Sequence, residues 1–248
     1  MLHSSRLLLV ALSFLTIVPA PRNCQLSDRS LGRAVAYFPL VGALLGAFIA
    51  GVDSVCSHVL PLPVITALDL VLFAILTGGL HLDGLMDSCD GLFGGHDPEQ
   101  RLAIMRDSHT GCFGMLGAAL LLLLDYAALV SLHGHERAAA LILAPTMGRW
   151  AIVLVLHAFP YARATGKGAA FKAGTGRREV LLASLWVLSI VAVIDPSFLW
   201  LPAVTCLVAL ALGRWMAALL GGLTGDSYGA VCEVVTALML ALQTARLA

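Results

Sequence analysis

Charged residues are scarce in this chain. Asp, Glu, Lys and Arg make up 12% of its 248 residues, whereas an ordinary soluble domain carries about 25%. Hydrophobic residues make up 59%, and the mean hydropathy is +0.92. These values exclude an ordinary soluble fold. The chain also lacks a basic excess, because 15 Lys and Arg balance 15 Asp and Glu, so we expect no nucleic-acid partner.

The cysteines lack any pattern that would give them a shared role. The six of them are scattered, without a C-x-x-C pair or a spacing typical of a zinc site or a disulfide framework. We interpret them as small apolar residues.

Long apolar runs are abundant instead. A helix that spans a bilayer needs about 20 mostly apolar residues. Seven runs of suitable length cover residues 34–59, 64–80, 113–132, 138–159, 180–194, 198–220 and 228–247. A shorter run at 7–19 has no small-residue cleavage site, so we expect a retained interfacial helix rather than a signal peptide. The sequence thus predicts an all-α, polytopic helical bundle of about seven transmembrane helices, forming a single membrane domain over residues 1–248.

Lys and Arg are distributed unevenly among the polar segments. If the spans alternate, segments 20–33, 81–110, 160–178 and 221–227 lie on one side and carry nearly all of the basic residues between spans. The opposite loops, near 59–63, 133–137 and 195–197, offer only Arg137. The bias places the long polar segments in the cytoplasm.

Three carboxylates crowd the end of one apolar run, in segment 77–91. Asp83, Asp87 and Asp90 are four and seven residues apart, so on a helix they share one face although like charges at this spacing repel. A divalent cation would relieve the repulsion, and oxygen ligands favour magnesium or calcium over zinc. The alternative is a solvated acidic loop or a cluster that caps a helix.

The next polar segment, 101–111, places cations beside another acid. Arg106 precedes Asp107, and His109 follows. Arginine suits phosphate because its planar guanidinium makes bidentate contacts. The alternatives are that the arginines anchor the chain at the membrane surface and that His109 is structural.

Two more arginines attract attention. Arg149 lies inside an apolar run, where an arginine is costly and usually faces a partner or a polar cavity, unless it snorkels to the surface. Arg163 belongs to a Gly-rich segment, 161–171, that mixes basic and aromatic residues. Such a loop can surround phosphates and stack a base or ring, although it is not a Walker loop.

A second acidic face follows near the end of the chain. Asp226 and Glu233 are seven residues apart, the same spacing as Asp83 and Asp90. Helix capping explains Asp226 but leaves Glu233 inside an apolar run without a partner. We expect the two acidic faces to meet over a shared metal pair.

Several of these segments together resemble one family. GGLHLDGLMDSCDG (78–91), IMRDSHTGCFG (104–114), FPLVG (38–42), YAR (161–163) and GGLTGDSYGA (221–230) are similar to cobalamin synthase, the adenosylcobinamide-GDP ribazoletransferase family. The resemblance runs from about Phe14 to Glu233. The chain departs from the family at Thr236, where a second acid is often found.

The resemblance implies a multi-pass enzyme of the cell inner membrane, with its active site facing the cytoplasm. It implies transfer of adenosylcobinamide phosphate from adenosylcobinamide-GDP to alpha-ribazole or its 5'-phosphate, with release of GMP and a need for Mg2+. Either a homo-oligomer or association with other cobalamin-assembly enzymes is compatible with it.

The resemblance also implies roles for the residues singled out above. The metal ligands are expected to be Asp83, Asp87, Asp90 and Asp226. Asp107 and Glu233 are expected to be further ligands or the general base. Arg106, Arg149 and Arg163 are expected to contact phosphate. His81 is expected to act as ligand, base or support, and His109 to help bind substrate.

Two other functions fit the composition. A CDP-alcohol phosphotransferase also uses clustered aspartates at the membrane edge, but its Ala-Arg pair is absent here, because Asp83-Gly84 is followed by Leu85-Met86-Asp87. A cation or corrinoid transporter would carry polar residues at the membrane midplane on paired broken helices, whereas most of these acids gather at the ends of spans.

Overall fold

Helices account for nearly all of the regular structure. The computed structural model describes residues 2–19, 28–163 and 167–245. Residues 20–27 of the polar segment 20–33 and residues 164–166 of the loop around Gly166 lie outside these ranges. Within these ranges the helices are α1 (Leu2–Leu15), α2 (Asp28–Ala34), α3 (Phe38–Cys56), α4 (Leu62–Thr77), α5 (Leu80–Gly94), α6 (Pro98–Ile104), α7 (Cys112–Ser131), α8 (Gly134–Ala158), α9 (Lys167–Gly174), α10 (Arg177–Ile194), α11 (Leu201–Leu220) and α12 (Gly225–Thr244). The predicted all-α class is confirmed.

Each predicted span overlaps a helix, but fewer than seven are long and apolar enough to cross a membrane. Five described segments meet that standard: Ser30–Cys56, Cys112–Ser131, Gly134–Ala158, Pro196–Leu220 and Gly225–Thr244. A sixth is gained if α4 and α5 count as one bent crossing. Helix α4 alone has 16 residues, about 24 Å at 1.5 Å per residue. Helix α10 begins with three charged residues, which shorten its apolar part.

Helix α8 forms the centre of the bundle. Its apolar window is 89% buried, and α3, α10, α11 and α12 pack around it. Two glycines of α3 permit the closest approach, because a Cβ atom at Gly42 would lie 2.4 Å from the Pro145 carbonyl oxygen, and one at Gly46 would lie 2.2 Å from the Leu141 carbonyl oxygen. Pro145 has no N–H to donate to Leu141, so that carbonyl is free to face the glycine of α3.

A sharp break separates α4 from α5. Gly78 ends α4 with φ 60° and Gly79 precedes α5 with φ 67°, a left-handed conformation that residues with a Cβ atom adopt only at a cost. The two helix axes differ by 91° as a result. This bend turns the segment that carries Asp83, Asp87 and Asp90 away from the direction of α4.

A buried arginine ties four helices together at the other end of the bundle. Arg137 of α8 donates from Nε to Asp53 of α3 (2.7 Å) and from Nη2 to Asp69 of α4 (2.6 Å). Its third bond goes to the carbonyl oxygen of Leu129 in α7. The Arg137 and Asp69 side chains are only 4% and 2% exposed, so each ion depends on the other for the stabilisation that water would otherwise give.

Replacing Arg137 tests how much this network stabilises the bundle. We expect Arg137→Met to leave buried Asp69 and half-buried Asp53 unpaired and to cost about 3–5 kcal/mol, which lowers Tm by roughly 10 °C in a chain of this size. Thermal unfolding of the purified protein in detergent measures the change. The matched control is Arg214→Met, because Arg214 is exposed. Equal Tm values for the two variants would contradict the prediction.

Candidate active site

The site is built where α5 packs against the start of α12. A Cβ atom at Gly84 would lie 2.8 Å from the backbone oxygen of Asp226, and one at Gly229 would lie 3.0 Å from the backbone oxygen of His81. These contacts run in opposite directions along the two helices, which are therefore antiparallel. Glycine at both positions lets the backbones touch, and the acidic segments of the sequence become neighbours.

Three aspartates line this junction. Asp83 is exposed, Asp87 is half-buried, and Asp226 lies in the first turn of α12, where the helix dipole favours a negative charge. Asp87 is close enough to Asp83 and Asp226 for electrostatic repulsion between the carboxylates. The structure thus brings Asp226 next to Asp83 and Asp87, from which about 140 residues separate it in the sequence.

Arg163 is the cation beside Asp226 and close to Asp87. Its Nη2 atom lies 2.8 Å from Oδ2 of Asp226 and also donates to the Met105 carbonyl oxygen at 3.4 Å. A short backbone ladder holds it there, since the Ala162 N–H donates to Leu223 and the Leu223 N–H donates to Pro160. The segments YAR and GGLTGD are therefore joined by their backbones as well as by the ion pair.

Asp90 has a different set of partners. Its two carboxylate oxygens accept hydrogen bonds from the backbone N–H groups of Gly111 (2.7 Å) and Gly114 (2.8 Å), at the start of α7. A Cβ atom at either glycine would lie 2.4 Å from an Asp90 oxygen. Asp90 thus caps α7 from 21 residues away, and its expected role as a metal ligand stays a prediction.

The loop after α6 carries Arg106, Asp107 and His109 into solvent. All three side chains are exposed, and none lines the cavity described below. Nδ1 of His109 lies 2.6 Å from Oδ1 of Asp107. This contact raises the pKa of His109 and lowers the pKa of Asp107, because each charged form stabilises the other. The two residues partner one another, and their expected roles toward substrate stay predictions.

A second polar cluster lies deeper, within the helices. Nδ1 of buried His81 lies 3.8 Å from Oε1 of Glu233 and 3.6 Å from Sγ of Cys232. One ligand atom from each of the three lies within 4.8 Å of the others. Arg149 acts electrostatically on all three, and its positive charge opposes a metal ion there. We therefore interpret this cluster as a hydrogen-bonding group.

Arg149 is 1% exposed, and no partner for its Nε is found among the described residues. It packs over the Phe73 ring and lines a void of about 60 Å³ together with Glu233 and Asp125. Asp125 was not singled out in the sequence, although an acid within an apolar run is a signal of function.

A cavity of about 420 Å³ opens beside the aspartates. Its polar wall includes Asp83, Asp226, Arg163 and His81. Five aromatic side chains also line it, and we call them the aromatic wall: Phe14, Phe38, Tyr161, Phe171 and Tyr228. This volume falls in the range of small-molecule sites, and a few polar groups facing an apolar wall are typical of such sites. The aromatic residues of segment 161–171, which include Tyr161 and Phe171, are already visible in the sequence. Local spacing does not bring them together with Phe14, Phe38 and Tyr228, because these come from other parts of the chain.

Substituting Gly84 tests the helix contact on which the site depends. Glycine to alanine within a helix is normally stabilising by about 1 kcal/mol, but at Gly84 the added methyl would meet the Asp226 backbone. We expect Gly84→Ala to lower Tm by about 5 °C. The control Gly51→Ala has open space around it and should raise Tm slightly. A higher Tm for both variants would contradict the prediction.

Comparisons with known proteins agree with the resemblance seen in the motifs. The sequence profile of cobalamin-5-phosphate synthase matches residues 7–244. The adenosylcobinamide-GDP ribazoletransferase of Desulforamulus reducens is 40% identical over 235 residues, 91% of each chain, and that of Desulfitobacterium hafniense is 39% identical over 250 residues, 96% of each chain. The enzyme of the same name from Geotalea daltonii is 37% identical, over 92% of this chain and 93% of its own. No solved structure matches. The chain belongs to the cobalamin-5-phosphate synthase family.

Proposed function

We propose that this protein is an adenosylcobinamide-GDP ribazoletransferase whose active site is the cavity between α5 and α12. The observation that carries the proposal is the shared position of Asp83, Asp226 and Arg163 on one cavity wall. Acids that hold a metal and a cation that contacts phosphate are the groups that phosphoryl transfer requires.

The proposed reaction is a displacement at phosphorus. A ribose hydroxyl oxygen of alpha-ribazole, or of its 5'-phosphate, bonds to the phosphorus that carries the cobinamide arm. The bond from that phosphorus to GMP breaks, and GMP leaves with the electron pair. The hydroxyl proton passes to a base of the protein. We assign this role to the pair His81 and Glu233, because His81 lines the cavity and contacts Glu233.

The donor set at the junction fits Mg2+. Asp83, Asp87 and Asp226 offer hard carboxylate oxygens, and their mutual repulsion is a cost that a divalent cation removes. These three residues would hold the ion, with Asp90 behind them at the start of α7. When bound, Mg2+ would neutralise the negative charge of the diphosphate.

Arginine side chains would complete the diphosphate site. Arg163 is the best placed, because it lines the cavity and already lies beside a carboxylate. A bidentate guanidinium can bind phosphate and carboxylate oxygens together. Arg106 would approach from the exposed loop, together with Asp107 and His109. Arg149 would act from behind Glu233, as it lines the inner void instead of the cavity.

We further propose that the site faces the cytoplasm and that the bilayer is the cell inner membrane. The polar segments 81–110 and 160–178, which lie on the same side of the bundle as the site, carry Arg101, Arg106, Arg163, Arg177 and Arg178. At the opposite end, Arg137 is neutralised by its two aspartates. The positive-inside rule then orients the bundle.

The metal and the acids are tested together by GMP release from adenosylcobinamide-GDP and alpha-ribazole. Activity should require Mg2+ and be lost in chelator, and Asp83→Asn and Asp226→Asn should each reduce kcat at least about 100-fold. Since both acids serve one charge-stabilising unit, the double variant should be scarcely slower than the slower single variant.

The control for these variants is Glu99→Gln, which removes an exposed acid that does not line the cavity and should retain wild-type activity. Defects that multiply in the double variant would show that the two acids act at independent sites. Full activity of Asp83→Asn in excess chelator would refute the metal assignment.

Orientation is tested by cysteine labelling in a variant without native cysteines. Gln100→Cys and Ala173→Cys, both exposed near the site, should resist an impermeant thiol reagent in intact cells and react after lysis. Ser57→Cys, exposed in the loop between α3 and α4, should react in intact cells. The reverse pattern would place the site outside the cytoplasm.

A further inference from the structure

The aromatic wall of the 420 Å³ cavity is tightly packed. Phe14 of α1 lies 4.3 Å from Phe171 of α9, between ring centroids, and Phe38 of α3 lies 5.7 Å from Phe171. The Tyr161 and Tyr228 rings stack at 6.3 Å. Aromatic surfaces of this kind bind flat, apolar rings through stacked or edge-to-face contacts.

One hydroxyl on this wall lacks a partner. Tyr228 is 6% exposed, and its buried Oη has no hydrogen-bond partner among the described residues. A buried hydroxyl left unpaired costs about 1–3 kcal/mol, so such a group is commonly paired by a ligand or water. The wall therefore combines aromatic rings with two tyrosine hydroxyls, of which that of Tyr228 is left unpaired among the described residues.

The size of the cavity selects between the two substrates of the proposed reaction. A volume of about 420 Å³ accommodates a nucleoside, whereas a corrin ring with its amide side chains and adenosyl ligand is several times larger. A more open groove of about 650 Å³ adjoins the cavity and shares Phe14, Leu80 and Asp83 with it. Asp83 thus lies where a ligand in the cavity and a ligand in the groove would meet.

We propose that the enclosed cavity binds the acceptor nucleoside, with its base against the aromatic wall and Tyr228 as the residue that recognises the base. This inference rests on the proposed function. The base of alpha-ribazole is a benzimidazole, an apolar fused ring in which one nitrogen carries the ribose and the other offers a single lone pair. One Tyr228 hydroxyl donor satisfies that acceptor.

The same wall discriminates against more polar bases. A purine with an exocyclic amino group brings several donors and acceptors, and an aromatic wall whose only polar atoms are two tyrosine hydroxyls leaves most of them unpaired. The aromatic wall and Tyr228 are thus specificity determinants for the acceptor. The adjoining groove is also too small to enclose the corrinoid substrate, but it is open, so the corrinoid lies across it and presents its phosphate near Asp83.

The test combines the variant Tyr228→Phe with an analogue of alpha-ribazole that lacks the acceptor nitrogen. Binding of alpha-ribazole to the purified protein, without the corrinoid, is measured by calorimetry and compared with its indole analogue, which replaces the acceptor nitrogen by C–H. The wild type should bind alpha-ribazole about fivefold more tightly than the analogue, and Tyr228→Phe should bind both equally. Tyr126→Phe, a tyrosine that lines neither concavity, should match the wild type.

A second variant tests the cavity itself. Ser13 lines the cavity, and among the described residues its hydroxyl bonds only to the Val10 carbonyl oxygen of its own helix. Ser13→Met should fill the space and weaken both ligands at least tenfold. Ser131→Met is the matched control, because Ser131 makes the same kind of local bond to Ala127 but is exposed.

The outcomes separate this inference from the proposed function. If the wild type releases no GMP from adenosylcobinamide-GDP, the proposed function fails. If it releases GMP but Tyr228→Phe keeps the fivefold preference, or Ser13→Met binds alpha-ribazole normally, the acceptor site lies elsewhere and only this inference is overturned.

Discussion

The contact between the backbones of α5 and α12 is the constraint on which the site depends. It brings like charges together, which is unfavourable, and it is possible because Gly84 and Gly229 have no side chains to separate the helices. The surrounding bundle, centred on α8, provides the packing that offsets the repulsion. The fold therefore holds several carboxylates close together in spite of their repulsion, and this arrangement favours the binding of a ligand of opposite charge.

The two buried arginines of α8, Arg137 and Arg149, differ in how their charges are compensated. Arg137 has two carboxylates and a carbonyl as partners, so its charge is matched within the protein. Arg149 packs on an aromatic ring near Glu233 and Asp125, and its Nε has no partner among the described residues. The first is typical of a structural group, and the second of a functional one.

Local features of this fold were predictable, and long-range ones were not. Hydropathy located the helices because burial in a bilayer depends on composition over about 20 residues. The break at Gly78 and Gly79 was read as the end of a span, because a left-handed glycine pair does not specify the angle between two helices. The contact from Asp90 to Gly111 and the aromatic wall depend on tertiary packing, which no local spacing encodes. The matching spacing of the two acidic faces, and then the family motifs, predicted that Asp83 and Asp226 share one site, and both line the same cavity.

The ion pairs of Arg137 with Asp53 and Asp69 affect how the chain is inserted into the membrane. Asp53 and Asp69 are synthesised before Arg137, which follows Asp69 by 68 residues. At about 5–20 residues per second, Asp69 precedes Arg137 by roughly 3–14 seconds, and Asp53, which lies 84 residues before Arg137, by roughly 4–17 seconds. During that interval α3 and α4 carry acids without a counter-ion, so we expect these acids to stay near the lipid headgroups until α8 is made. Helix α8 is thus both the centre of the complete bundle and the element that supplies the counter-ion for the acids of α3 and α4.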